Sequence, residues 1–117
     1  MPNKRESGNR GEDLAVVFLQ KKGYRILERN FRFERGEIDI VTEDEDTLVF
    51  VEVKARRSAV FGEPEDAVTP SKCDQIRAVA EGYLFKHEID EKPCRFDVIA
   101  IRYRGTEVDV NHIEDAF

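Results

Sequence analysis

No apolar run in this chain of 117 residues is longer than the six residues at 14–19. A helix that crosses a bilayer needs about 20 such residues, so no membrane span is expected. The first ten residues are polar and basic and lack an apolar stretch, so no signal peptide is expected there. Cysteine is scarce as well. Cys73 and Cys94 have neither metal-ligand nor redox spacing, and they read as free thiols of a cytoplasmic protein. Repeats, low-complexity tracts and linkers are lacking, so residues 1–117 read as a single domain, long enough to bury a core. A positive balance is also missing. The net charge of −6 speaks at first against a nucleic-acid partner.

What is present changes that first impression. Hydrophobic residues make up 40% of the chain, which excludes a disordered chain although 38% of residues are charged. The charges are segregated. Residues 1–36 carry nine Lys or Arg and five Asp or Glu. Residues 37–53 carry seven acids and no base, and Lys54, Arg56 and Arg57 follow at once. Acids concentrated between basic flanks suit a cation site that works on a phosphate backbone. A solvated surface of mixed charge accounts for the same counts equally well.

The element pattern is alternating. Asn9-Arg10-Gly11-Glu12 resembles an N-cap followed by Glu at the third helical position, and the apolar run at 14–19 continues the helix. Lys21-Lys22-Gly23 is a stop signal. Residues 24–33 read as a strand, with Phe31 and Phe33 on one face, and Glu34-Arg35-Gly36 as a turn. Residues 36–41 and 48–54 form a β-hairpin around an acidic loop at 43–47. On its second strand Leu48, Phe50, Glu52 and Lys54 share one face, and Val49, Val51 and Val53 the other. Residues 56–68 read as a loop, 70 to about 87 as a helix, and 95–103 and 108–113 as strands. The fold class is therefore α/β, in the order α-β-β-β-α-β-β, with a mixed central sheet flanked by helices.

Asp39 on the first hairpin strand and Glu52 and Lys54 on the second bring two carboxylates and an ammonium together. Set in this element order, Asp39, Glu52-Val53-Lys54 and the helical Glu12 resemble the restriction-endonuclease-like core of the PD-(D/E)xK nucleases, in particular its Holliday-junction-resolvase-like members. More closely, Gly11-Glu12-Asp13-Leu14-Ala15, Gly36-Glu37-Ile38-Asp39-Ile40-Val41 and Phe50-Val51-Glu52-Val53-Lys54 resemble the small bacterial YraN-like family. The resemblance covers roughly residues 9–103, and Ile38 stands where the motif has proline. Some superfamily members carry Gln-x-x-x-Tyr on the second helix. Here Gln75 precedes Val79, and Tyr83 comes one turn later, where it can share a helix face with Gln75.

The resemblance implies a metal-dependent endonuclease acting on DNA, branched or otherwise structured, with Mg²⁺ or Mn²⁺ as cofactor. Asp39 and Glu52 are then the direct metal ligands, the Val53 carbonyl a third, and Glu12 a direct or water-mediated one. Lys54 orients or deprotonates the attacking water, or stabilises charge on phosphate. Arg56 and Arg57 hold phosphates, with Lys72 and Gln75 as further nucleic-acid contacts and Arg32 and Arg35 as weaker candidates. Simpler roles fit the same residues: a helix cap for Glu12, a surface ion pair for Glu52 and Lys54, solvated charge for Arg56 and Arg57. A non-catalytic nucleic-acid-binding or partner-docking module is the alternative function. His87 and His112 lack ligand spacing and receive no role. A homodimer suits a symmetric branched substrate, with the run at 14–19 and exposed Phe31 or Phe33 as its apolar surface.

Overall fold

The strongest local signal, the hairpin, forms as a tight unit. Strand β2 (Gly36–Asp44) and strand β3 (Thr47–Arg56) pair antiparallel from Ile40↔Val51 to Asp44↔Thr47. The loop expected over 43–47 is thus only Glu45 and Asp46, with Glu45 in the left-handed region at φ 55°. The computed structural model describes residues 4–56 and 69–117, with the side chains of the first helix from Arg10 onward. Arg57 and most of the expected 56–68 loop lie outside the described residues.

Strand β1 (Arg25–Phe33) adds antiparallel to β2, from Arg25↔Glu43 to Phe33↔Gly36. Strand β4 (Cys94–Arg104) lies parallel to β3, and β5 (Glu107–Ile113) closes the other edge antiparallel to β4. The five-stranded sheet therefore runs β1-β2-β3-β4-β5. A parallel pair cannot be joined by a tight turn, and helix α2 (Pro70–Lys86) lies in the crossover from β3 to β4. Thr69 caps it by accepting from the Lys72 N–H, and the helix opens at Pro70, where the sequence predicts its start.

Alternation along β3 divides the core. Leu48 and Phe50 pack with Ile76, Val79, Ala80 and Tyr83 of α2. Val49 and Val51 pack with Ala15 and Leu19 of helix α1 (Lys4–Lys21). The sheet is thus covered on both faces, one by each helix. No helix among the described residues is long and apolar enough to cross a membrane.

Two expectations need correction. Helix α1 begins at Lys4, so Asn9 is no N-cap and Glu12 lies well inside the helix. Gly11 reads like a boundary but serves close packing: a Cβ there would stand 3.4 Å from the Ala55 Cβ. The helix does stop where expected. Tyr24 N–H bonds back to Leu19 O and Gly23 N–H to Gln20 O, with Gly23 at φ 93°, a Schellman arrangement. The second correction concerns aromatic surface. Phe31 is buried in the α2 cluster, and Phe33 packs against that cluster beside Gly82. Phe31 is thus not exposed, and Phe33 is half-buried. Most of the run at 14–19 is likewise taken up by the sheet, with Val17 facing outward.

Candidate active site

The β1–β2 register shifts between Ile26 and Glu28 and is constant from there to Phe33. Within that stretch Arg29↔Ile40 and Phe31↔Ile38 are matched, while Asn30 and Asp39 between them are passed over. Asn30 takes a left-handed conformation at φ 54°, which asparagine tolerates better than most residues. Ile38 joins the α2 cluster and Ile40 the α1 cluster, although residues two apart share a face in a regular strand. On its other side β2 is paired to β3 only as far as Ile40↔Val51. Asp39 therefore sits where the strands part. Its Oδ2 accepts from the Val53 N–H at 2.8 Å, a side chain standing in for the interrupted ladder.

Acids from three elements meet around this irregularity. Glu12 is 7% exposed and accepts from Asn30 Nδ2 at 3.0 Å and from Arg29 Nη2 at 3.3 Å. Glu52 is 6% exposed, with the ammonium of Lys54 at 3.4 Å and that of Lys72 at 3.6 Å from the same Oε1. Burial pushes the Asp39 carboxyl up to about 7, and the Glu52 charge adds to the shift. The Val53 N–H opposes that rise, while Glu12 and Glu37 act with it. Burial also raises Glu12 above the usual carboxylate range, against the pull of Arg29 and Asn30. The group thus gathers more negative charge than it comfortably holds, with two ammonium groups at its edge. Such a set favours a proton or a cation.

Not every expected residue joins it. Glu12, Asp39, Glu52 and Lys54 do. Lys72 also joins, but through the Glu52 carboxylate. Gln75 is exposed on α2 near Gly36. Arg56 is exposed at the end of β3, where Nη1 donates to Ala55 O at 3.2 Å. Arg32 pairs with Glu37. Tyr83 shares no face with Gln75: it is buried, its ring edge-on to Phe31 and Phe50. Among the described residues no three His, Cys, Asp or Glu side chains form a ready-made metal cage.

Three participants escaped the sequence reading. Arg29 and Asn30 hold Glu12, and the only advance signal was an asparagine inside a strand-like run. The third is a separate polar cluster around Asp97, which is fully buried. Arg95 Nε and Nη2 and His112 Nε2 bond its carboxylate at 2.9, 2.9 and 2.7 Å. An acid between Phe96 and the apolar run 98–101 was the clue.

An α/β domain with a five-stranded mixed sheet, carrying an acid–lysine group where β2 and β3 part, is the class these features define. The chain belongs to the family described as uncharacterised protein family UPF0102, whose model matches residues 11–101. It is 45% identical to a UPF0102 protein of Caldicellulosiruptor saccharolyticus, with 98% of this chain and 99% of the relative covered. A UPF0102 protein of Flavobacterium psychrophilum is 44% identical, with 100% and 98% covered. One from Chlorobium phaeobacteroides strain BS1 is 49% identical, with 94% and 92% covered. The likeness to YraN-like proteins thus extends over the whole chain at the level of this bacterial family.

Proposed function

We propose that this protein is a metal-dependent endonuclease of the PD-(D/E)xK type, acting on branched or otherwise structured DNA. The observation that carries the reading is Asp39 held by the Val53 N–H where β2 and β3 part, buried and with the Glu52 charge acting on it. Lys54 lies beside that Glu52. Clustered carboxylates with an adjacent ammonium suit metal-dependent phosphodiester hydrolysis.

The donor set fits a hard divalent cation such as Mg²⁺ or Mn²⁺, because crowded carboxylate oxygens that repel one another are relieved by positive charge. Asp39, Glu52 and the Val53 carbonyl would hold it, with Glu12 behind, reaching it through water while bound to Arg29 and Asn30. When bound, such an ion polarises water and stabilises charge on the phosphate. Lys54 orients the attacking water or neutralises developing charge. Arg56, with Arg57, holds the flanking phosphates. A two-fold homodimer would present two such sites to a branched substrate, and sedimentation with and without DNA tests that assembly.

The test is a cleavage screen over single-stranded, flapped and four-way DNA with Mg²⁺ and with Mn²⁺. Asp39→Asn serves as the matched control. A calorimetric Mn²⁺ titration accompanies it. Metal-dependent cutting and Mn²⁺ binding, both abolished in Asp39→Asn, are expected. Equal behaviour of the two proteins removes the site.

A further inference from the structure

Two lysines converge on one oxygen of Glu52, and they are not equivalent. Lys54 belongs to the same strand, and its side chain is 18% exposed, whereas that of Lys72 is 37% exposed and comes from the first turn of α2. Both separations, 3.4 and 3.6 Å, exceed the usual range for N–H···O hydrogen bonds, so charge rather than a fixed bond holds each ammonium. The main chain of Lys72 is fixed, since its N–H is bonded to the Thr69 hydroxyl at 3.2 Å. Its stem of four methylenes is flexible beyond that anchor, and its side chain is 37% exposed.

Helix stability does not explain this placement. The first turn of a helix favours negative charge, because the macrodipole is positive there. The first turn of α2 holds no acid and does hold Lys72. Glu52 supplies the counter-charge that the helix does not.

We propose that Lys72 is a positioning residue that competes with a divalent cation for Glu52 and, once displaced, carries its ammonium to the substrate phosphate. The inference rests on the metal-dependent reading above. A cation bound to Glu52 Oε1 repels an ammonium beside the same oxygen, and of the two lysines the more exposed one leaves at lower cost. Its anchor lies in the first turn of α2, and a helix N-terminus favours phosphate. Lys72 would thus make metal loading and substrate engagement one linked event, with the same charge neutralising first a carboxylate and then a phosphate.

Mn²⁺ binding by calorimetry tests the competition directly, using wild type, Lys72→Met, Lys72→Arg and the distant control Lys21→Met. Lys72→Met should bind Mn²⁺ roughly three- to tenfold more tightly than wild type, with Lys72→Arg and Lys21→Met near wild type. Its single-turnover cleavage at saturating Mn²⁺ should nevertheless fall about tenfold or more, and Lys72→Arg should restore part of it. A structural role alone would weaken both properties together and lower the melting temperature. Wild type that binds Mn²⁺ while Lys72→Met binds it equally or more weakly overturns the proposal and leaves the endonuclease reading standing. Wild type that binds no Mn²⁺ removes both.

Discussion

The Val53 N–H donates to Asp39 Oδ2 at 2.8 Å across the point where β2 and β3 cease to pair. One hydrogen bond thereby fixes the orientation of a carboxyl group that burial and Glu52 push toward its protonated form. Geometry and electrostatics oppose each other at this residue, and the conflict is measurable.

The first prediction uses that conflict. The Asp39 pKa is raised from 3.8 to about 7 in the folded protein. Between about pH 4 and pH 7 the folded state therefore binds more protons than the unfolded state, and stability falls as pH rises through that window. Asp39→Asn keeps an acceptor for the Val53 N–H and removes the titration. With chelator present, Asp39→Asn should be more stable than wild type at pH 8, by on the order of 1–3 kcal/mol, and the two should converge near pH 4. Urea midpoints at both pH values check this. A constant difference across the range would contradict it.

Asp97 predicts the opposite sign. Burial alone would raise its pKa, but His112, Arg95 and the Asp115 N–H together hold it below the usual carboxylate range. Its stabilisation is present above the unfolded carboxyl pKa and is lost as pH falls into the acid range. Asp97→Asn leaves the Arg95 guanidinium with a poorer partner and should cost about 3 kcal/mol at pH 7. The cost should shrink at pH 3. The Asp115 N–H bond and the Ala116 N–H bond to Phe96 O, at 2.7 Å, tie the C-terminal segment to this strand. Amide exchange at 115 and 116 should accelerate in the variant.

Close packing of α2 gives a third prediction. A Cβ on Gly82 would lie 2.3 Å from the Phe33 ring, and one on Gly36 would lie 2.3 Å from Val79 Cγ2. Alanine normally favours a helix over glycine by about 1 kcal/mol. Here overpacking should prevail, and Gly82→Ala should destabilise by about 1–3 kcal/mol in urea denaturation. The same displacement moves α2 away from β1 and β2, and Lys72 with it. Mn²⁺ affinity should therefore change in Gly82→Ala even where the fold survives. Gain of stability would show that the helix shifts freely.

The sequence made the hairpin, the facing of β3 and the order of elements legible, because each rests on local periodicity and turn chemistry. Its failures share a cause. The start of α1 was hidden because Asn9 and Gly11 mimic a boundary, while Gly11 is there for the approach of Ala55. Tyr83 was placed beside Gln75 by helical spacing alone, yet the Phe31 and Phe50 rings draw it into the core. Motif and spacing singled out Glu12, Asp39, Glu52 and Lys54, and the structure places them near one another. The partners that tune them, Arg29, Asn30 and Lys72, come from other elements, and their placement depends on tertiary packing that no single segment encodes.

The last prediction separates binding from chemistry. On the proposed endonuclease reading Lys54, beside Glu52, acts mainly in the transition state. On the same reading Arg56, exposed at the strand end, and Arg57, next in the sequence, meet phosphate in the ground state. Lys54→Ala should abolish most cleavage while leaving DNA affinity nearly intact, because an interaction made only in the transition state lowers turnover alone. The double variant Arg56→Ala with Arg57→Ala should do the reverse. Its affinity should drop, and the slope of log affinity against log salt should flatten by about 0.9 for each phosphate that is no longer neutralised. Asp39→Asn should stop cleavage and bind DNA at least as well as wild type, since a negative charge facing phosphate is removed. A non-catalytic binding module predicts otherwise: wild type with Mg²⁺ or Mn²⁺ cuts nothing, binds branched DNA with a normal salt slope, and responds to Asp39→Asn only through charge. Fluorescence anisotropy across a salt series, run beside single-turnover cleavage on the same four proteins, distinguishes the two.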